Sequence, residues 1–242
     1  MESRFNEVFA TLRPELTAYL SRLVVRPHIA EELAQTAFMR LIESGPEGPD
    51  SREGTRSWLF RVATNLAFDE LRRHSTWREN ILLDLRESAE SNPAIVAQSK
   101  ALIGTPETKM VAREHLVACF ACTLRNLPEL KAAAFLLKEV HDFSLVEIAE
   151  LLQATESQAK NWLQDARAFM RAHYDQTCAL MTKKGVCYQC VELADFFLSG
   201  EGNPIARARD HLDARINIVK QLRSQPTGKW HSVLLKLLDD LG

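Results

Sequence analysis

SLVEIAELLQATESQAKNWLQDARAFMR, residues 144–171, is the stretch that decides the fold of this chain. Ser144 precedes Glu147 by three residues, and Thr155 precedes Gln158 by the same spacing. In this capping-box pattern a hydroxyl and a Glu or Gln side chain satisfy each other's otherwise unpaired backbone amides at a helix start. Two such starts predict a short helix, a tight turn and a longer helix, which is the order of a helix-turn-helix.

The two predicted helices have one apolar and one polar face. The apolar residues that we expect to pack together are Leu145, Ile148, Ala149, Leu152, Ala159, Trp162, Leu163, Ala166 and Phe169. The polar face of the second helix carries Ser157, Gln158, Lys160, Asn161, Gln164 and Arg167. These side chains suit phosphates and base edges in a major groove. The alternative is the solvated face of a helical hairpin, and Asp165 weakens the electrostatic attraction to DNA.

Helical spacing of apolar residues extends outward from this stretch over most of the chain, and no segment has the alternation of a strand. The predicted fold class is therefore all-α. The predicted helices are 5–23, 29–42, 56–74, 111–124, 128–140, 145–152, 155–171, 205–223 and 229–241. Pro14 is expected to bend or split the first of them. The loop 44–54 is rich in Gly and Pro.

The pattern divides the chain of 242 residues into four parts. Residues 1–78 form a first helical domain, 79–112 a linker, 113–175 the helix-turn-helix domain and 176–242 a helical C-terminal extension. An apolar fraction of 46% is enough for two or three small cores.

Composition limits the possible functions. The formal net charge is −2, so a nucleic-acid surface must come from local clusters of Arg and Lys. The N-terminus has charges spread through it and no apolar run spans a bilayer, which favours the cytoplasm. No phosphate-binding glycine loop, HExxH or recognisable Ser, His and Asp set is present, so we expect no enzyme and no required cofactor.

Two further segments carry a family resemblance. Residues 29–41, IAEELAQTAFMRL, and 56–73, RSWLFRVATNLAFDELRR, resemble region 2 of the extracytoplasmic-function (ECF) sigma-70 factors. Residues 127–171 resemble region 4 of the same family. The resemblance implies a factor that directs RNA polymerase to promoters and opens the DNA strands. It implies core polymerase and promoter DNA as partners, and it allows an anti-sigma factor.

The resemblance also implies roles for individual residues. Polar positions that would meet polymerase are Glu32, Gln35 and Arg40, and Thr36 stands where the family usually has an acid. Positions that would meet the minus-ten element are Arg61, Asn65, Asp69, Arg72 and Arg73, with the loop 44–54 as a pocket for an extruded base. Trp58 could stack on a base, but its place on the apolar stripe favours the core. Arg72 and Arg73 would equally suit a solvated helix end.

Region 4 of the family reads the minus-thirty-five element, and its polar helix face matches the face described above. Relatives often have a basic residue where Trp162 and Asp165 stand, which implies weaker or unusual promoter recognition.

Five cysteines in a chain without a secretion signal favour thiols, a metal site or a redox sensor over disulfides. Cys187 and Cys190 have the CxxC spacing of a tetrahedral metal site. We expect zinc at Cys122, Cys178, Cys187 and Cys190, with Cys119 or His173 as substitutes. An iron-sulfur cluster, a thiol switch or five reduced bystanders are the alternatives.

Two competing functions stay open. A conventional helix-turn-helix regulator would bind DNA without joining polymerase. A metal or redox sensor would use the helical domains to bind a partner protein. We also expect the C-terminal extension to fold back on the other domains, or on polymerase, and to regulate them.

Overall fold

The computed structural model describes residues 2–44, 49, 51–73, 93, 108–177 and 211–225. These residues form eight helices and no strand, which confirms the all-α prediction. The helices are α1 (Glu2–Val24), α2 (Pro27–Glu43), α3 (Arg52–Arg73), α4 (Thr108–Leu124), α5 (Glu129–Glu139), α6 (Leu145–Leu151), α7 (Glu156–Thr177) and α8 (His211–Gln221).

The first helix is not split. Pro14 lies inside α1, which runs uninterrupted from Glu2 to Val24, so the prediction of a split is wrong. A proline removes one helical hydrogen bond, but burial of Leu12, Leu16 and Leu20 along the same helix holds the turns on either side.

The third helix begins four residues earlier than predicted, at Arg52. Its start is stabilised by Ser51, whose Oγ accepts a hydrogen bond from the Gly54 amide at 3.0 Å. Of the predicted loop 44–54, the beginning of α3 is therefore helical, and residues 45–48 and 50 lie outside the described residues.

Helices α1 to α3 form a first module. Its core is made by side chains from all three helices, and Leu16, Ala34 and Leu59 are completely buried there. The hydroxyls of Tyr19 in α1 and Thr64 in α3 are hydrogen-bonded at 2.8 Å, which satisfies two polar atoms inside the core.

Helices α4 to α7 form a second module. The most buried element is α5, in which six successive residues from Ala132 to Leu137 are buried. Pro128 stands directly before α5, as a residue without an N–H donor can at a helix start. The helix-turn-helix pair α6 and α7 packs on this central helix.

The two modules touch each other directly, because α1 contacts α4 and α5 while α3 contacts α6. Helix α8 belongs to the C-terminal extension and packs on α4 and α7. It lies within the predicted helix 205–223. The predicted helix 229–241 lies outside the described residues, as does most of the linker 79–112, although α4 already begins at Thr108.

Among the described helices, none combines the length and the apolar character that crossing a bilayer demands.

Candidate nucleic-acid interface

Both predicted capping boxes are present at the helix-turn-helix. The Ser144 amide donates to Glu147 Oε2 at 2.7 Å and the Glu147 amide donates to Ser144 Oγ at 3.2 Å. At α7 the Thr155 amide donates to Gln158 Oε1 at 2.9 Å, and the Gln158 amide returns a bond to Thr155 Oγ1 at 3.2 Å. These bonds set where both helices begin, and so which residues of α7 face outward.

The predicted apolar seam between α6 and α7 is also confirmed. Ile148 and Ala149 of α6 are buried, and Ala159, Leu163 and Ala166 of α7 are buried opposite them. Leu145, Trp162 and Phe169 are partly buried and pack against this core. Burial of one side of α7 leaves its other side to solvent.

The outward side of α7 carries the predicted DNA-reading residues. Five of the six are exposed: Ser157, Gln158, Lys160, Asn161 and Gln164. The Gln158 side-chain oxygen accepts the cap hydrogen bond, so this glutamine has a structural role as well. The exposed set contains a cation and three amides, the groups that bind phosphates and base edges.

Arg167 is held differently from the other five. Its Nη1 donates to Glu139 Oε1 of α5 at 2.6 Å, and its Nη2 is paired with Asp213 of α8. The predicted approach of Arg167 to DNA would require it to leave two carboxylates. Asp165, the predicted weak point of this face, is paired with Lys131 at 2.7 Å.

The candidate minus-ten residues lie on one side of α3. Their side chains are exposed, and the set is Arg61, Asn65, Asp69, Arg72 and Arg73. Asp69 and Arg72 form an ion pair along the helix. The shared face agrees with their helical spacing.

A cleft of about 220 Å³ opens beside this face, between the two modules. Its walls come from the α3 end, where Pro49, Trp58 and Arg61 lie, and from α6, where Glu147 and Glu150 lie. Trp58 is partly buried against the core and also lines the cleft, so the tryptophan has both of the environments considered from the sequence.

The candidate polymerase-binding residues lie on α2. Glu32, Gln35 and Arg40 are exposed on the side of α2 opposite its buried alanines, Phe38 and Leu41. The apolar side chains Met39 and Ile42 are also exposed there, at 52% and 61%. An exposed apolar pair beside polar residues is typical of a protein-binding surface.

A polar cluster that the sequence did not reveal joins the two modules. We call it the interdomain cluster; its members are Glu15, Tyr19, Arg56, Phe60, His141 and Phe143. Arg56 Nη2 donates to Glu15 Oε1 and to the His141 carbonyl, both at 2.7 Å. Glu15 Oε1 also lies 3.0 Å from His141 Nδ1. The Arg56 guanidinium lies 4.1 Å from the Phe143 ring centroid, a cation–π distance.

Burial dominates the electrostatics of the interdomain cluster. It would raise the pKa of Glu15, but hydrogen bonds from His141 and Arg56 outweigh it and lower that pKa to about 2. Burial lowers the pKa of His141 to about 4, against the attraction of Glu15. At neutral pH Glu15 is therefore a carboxylate and His141 is neutral. Because a carboxylate only accepts, the proton of His141 resides on Nδ1.

Sequence patterns missed the interdomain cluster for a physical reason. Its residues are brought together from α1, α3 and the turn after α5, across 126 positions between Glu15 and His141. The only local signal was a glutamate within the apolar stripe of α1. Such a glutamate predicts a buried partner but does not say which one.

The proposed metal ligands lie mostly outside the described residues, since Cys178, Cys187 and Cys190 fall there. Cys122 is buried in α4 and Cys119 is half-buried one turn before it. Within the described ranges no group of three or more His, Cys, Asp or Glu side chains could hold a metal ion.

Taken together, the described residues form two helical modules with exposed polar helix faces and a capped helix-turn-helix. This architecture defines a DNA-binding protein with two separate contact faces, which is the class that transcription factors with more than one DNA element require.

Comparison with known proteins gives the family. Residues 8–76 match the model of sigma-70 region 2, and residues 118–170 match that of sigma-70 region 4. The ECF RNA polymerase sigma factor SigW of Bacillus subtilis is 25% identical, over 70% of this chain and 88% of its own length. SigX of the same organism is 23% identical over 72% and 86%. The ECF sigma-E factor of Haemophilus influenzae is 28% identical over 61% and 75%.

The chain belongs to the ECF group of the sigma-70 family. It is a transcription initiation factor that directs RNA polymerase to promoters. Region 2 corresponds to the first module and region 4 to the second.

Proposed function

We propose that this sigma factor reads the minus-thirty-five element with the exposed face of α7 and the minus-ten element with α3, while α2 binds core polymerase. The observation that carries the proposal is the face of α7 itself. Its register is fixed by two reciprocal hydrogen bonds at Thr155 and Gln158, and it presents Lys160, Asn161 and Gln164 to solvent.

The division of labour within α7 follows from side-chain chemistry. Lys160 supports a phosphate contact, which adds affinity without sequence information. Asn161 and Gln164 support base contacts, because an amide can donate and accept at once, as adenine requires. Ser157, near the helix N-terminus, suits a phosphate at the positive end of the dipole.

On α3, Arg61, Arg72 and Arg73 support contacts to the backbone of melted DNA, and Asn65 supports a contact to a base. Unstacking one base costs on the order of a few kcal/mol, which a shaped pocket can return without ATP. The cleft at Trp58 and Arg61 supports such a pocket, since it has an aromatic wall and a cation.

On α2, Glu32, Gln35 and Arg40 would meet core polymerase, and the exposed Met39 and Ile42 would give that contact an apolar centre. We propose the cytoplasm as the site of action, because core polymerase and promoter DNA are there. An anti-sigma factor is a further proposed partner.

The test is promoter-dependent initiation in vitro. Purified protein is added to core polymerase lacking its own specificity subunit, with a genomic library as template, and the transcripts are sequenced. We expect new start sites that share upstream elements. Asn161→Ala should then cost about 1–3 kcal/mol and relax preference at one position, whereas Lys160→Ala should weaken all templates and reduce the salt slope by about 1.

The same assay separates the alternatives. A conventional regulator would bind the duplex but start no transcript and would not co-purify with core polymerase. A partner-binding sensor would do neither. Failure of the pure protein to associate with core polymerase would overturn the proposal.

Zinc is a separate proposal, supported only by the CxxC spacing of Cys187 and Cys190. Elemental analysis of the purified full chain should give about one zinc per chain, and alkylation of the thiols should release it. Absence of zinc and iron from protein prepared without chelators would exclude a metal and leave reduced thiols.

A further inference from the structure

The starting observation is that regions 2 and 4 are packed together. The interdomain cluster joins them through Glu15 and Arg56 on one side and His141 and Phe143 on the other. Phe60 and Phe143 lie 5.1 Å apart between ring centroids, and both are buried. This is a dry, paired contact of the kind that holds domains in one orientation.

The packed arrangement cannot read both promoter elements at once. Their names place them about 25 base pairs apart, which is roughly 85 Å along the duplex at about 3.4 Å per base pair. In the structure α6 contacts α3 directly, and α7 follows α6 after a short turn. Helix α7 itself is only ~33 Å long at about 1.5 Å per residue. The modules must therefore separate before the factor works.

The packed arrangement also places acids beside the minus-ten face. Glu147 and Glu150 of region 4 share the cleft with Arg61 of region 2. Two carboxylates beside this arginine oppose the approach of a DNA phosphate.

The C-terminal extension is attached to both modules at this junction. Helix α8 packs on region 4 with Leu212, Ile216 and Val219 buried. At its C-terminal end, the Leu222 carbonyl accepts a hydrogen bond from Arg22 Nη2 of region 2 at 2.7 Å. Arg22 is itself buried, and a cation there suits the negative end of a helix dipole.

A second attachment of α8 reaches the interdomain cluster. Lys220 and Arg223 both pair with Asp142, the latter at 3.0 Å. Asp142 stands between His141 and Phe143 and has a positive φ of 62°. The extension thus holds the turn of region 4 that contacts region 2.

We propose that α8 is a latch, which keeps this sigma factor in a closed state with its two DNA faces too close together to engage a promoter. The proposal rests on the proposed function, since it concerns the same DNA faces. Core polymerase opens the closed state by binding the separated modules more tightly than the packed ones, which shifts the population.

The experiment uses the full chain with a pair of spin labels on unnatural amino acids, at Glu31 of α2 and Ala172 of α7. Both positions are exposed. The wild type should give one short distance. The variant Lys220→Ala with Arg223→Ala should add a longer population, since each exposed ion pair shifts an equilibrium by about 1.4- to 5-fold.

Asp142→Asn tests the same pairs from the other side. Asparagine tolerates the left-handed backbone of this position, so the substitution removes charge without strain. Adding it to the Lys220 and Arg223 substitutions should open the protein no further, because interacting residues are not additive. The matched control is Lys131→Ala, which breaks a lysine–aspartate pair of similar exposure inside region 4.

The second readout is affinity for core polymerase. The latch variants should bind core about 2- to 10-fold more tightly than the wild type, and the control should not. Unchanged distances in the folded latch variants would overturn the latch, as would fully additive effects of Asp142→Asn. Distances that lengthen as expected, with no binding of core by any form, would leave the latch standing and overturn the proposed function.

Discussion

The helix-turn-helix corner and the interdomain cluster are two polar networks with opposite character. The corner is exposed and local, with each bond spanning three residues, as from Ser144 to Glu147. The interdomain cluster is buried and long-range, with Glu15 bonded to Arg56 and His141 from other helices. Exposed local bonds set where helices begin, whereas buried long-range bonds decide how domains sit together. The two networks should therefore differ in energy as well as in kind.

The largest effect is expected from Glu15→Ala. Removing this carboxylate leaves Arg56 without its buried partner, and breaking such a pair costs about 3–5 kcal/mol. The contact between the modules should open, which label distances would report, and the midpoint of urea unfolding should fall. The control is Glu7→Ala, an exposed glutamate of the same helix. A Glu15→Ala protein as stable as the control would mean that the interdomain cluster contributes no more than a surface pair.

The next effect is a loss of stability in acid. The pKa of His141 is about 4 in the folded protein, below its ordinary 6.5, so the unfolded chain takes up the proton first. Stability should fall as the pH decreases from about 6.5 to 4. Glu15 adds a second fall from about 4.5 to 2, because its folded pKa is also depressed. The groups facing His141 are Glu15, Arg22 and Arg56.

The measurement for this prediction is unfolding free energy across that pH range. His141→Gln should remove the slope between pH 6.5 and 4, whatever it does to the absolute stability. An identical slope in the variant would assign the acid sensitivity to other groups.

The contrast between the networks explains what the sequence could predict. The caps at Ser144 and Thr155 depend on neighbours in the chain, so spacing alone was sufficient, and the exposed face of α7 followed from them. Helix starts set by tertiary packing were less predictable, as the early beginning of α3 at Arg52 shows. The split at Pro14 was wrongly predicted because a local rule ignored the buried residues around it.

The interdomain cluster was beyond this reasoning. Nothing near His141 in the chain indicates that Glu15 and Arg56 lie beside it, and the ordering of α8 on region 4 has no local signature either. The metal ligands and the roles of the candidate DNA and polymerase residues stay predictions, which only binding and transcription measurements address.

A smaller effect is expected at the corner. Thr155→Ala removes the hydroxyl that accepts the Gln158 amide and should reduce stability by about 1 kcal/mol. Because the bond is local, the label distance between the modules should stay at its wild-type value. Thr155→Ser keeps the hydroxyl and serves as the control. A Thr155→Ala protein with a lengthened distance would show that the corner also positions the domains.

The smallest effect is expected from Lys131→Ala, which breaks the exposed pair with Asp165 on α7. Surface pairs contribute about 0.2–1 kcal/mol, since water screens them and two long side chains lose freedom to form them. Thermal unfolding should therefore change little at physiological salt and less in 1 M salt. Asp165 would then add an uncompensated negative charge to the DNA face, so duplex affinity should fall slightly even though stability hardly changes. If unfolding shifted as much as in Glu15→Ala, exposure and range could not be what separates the two networks.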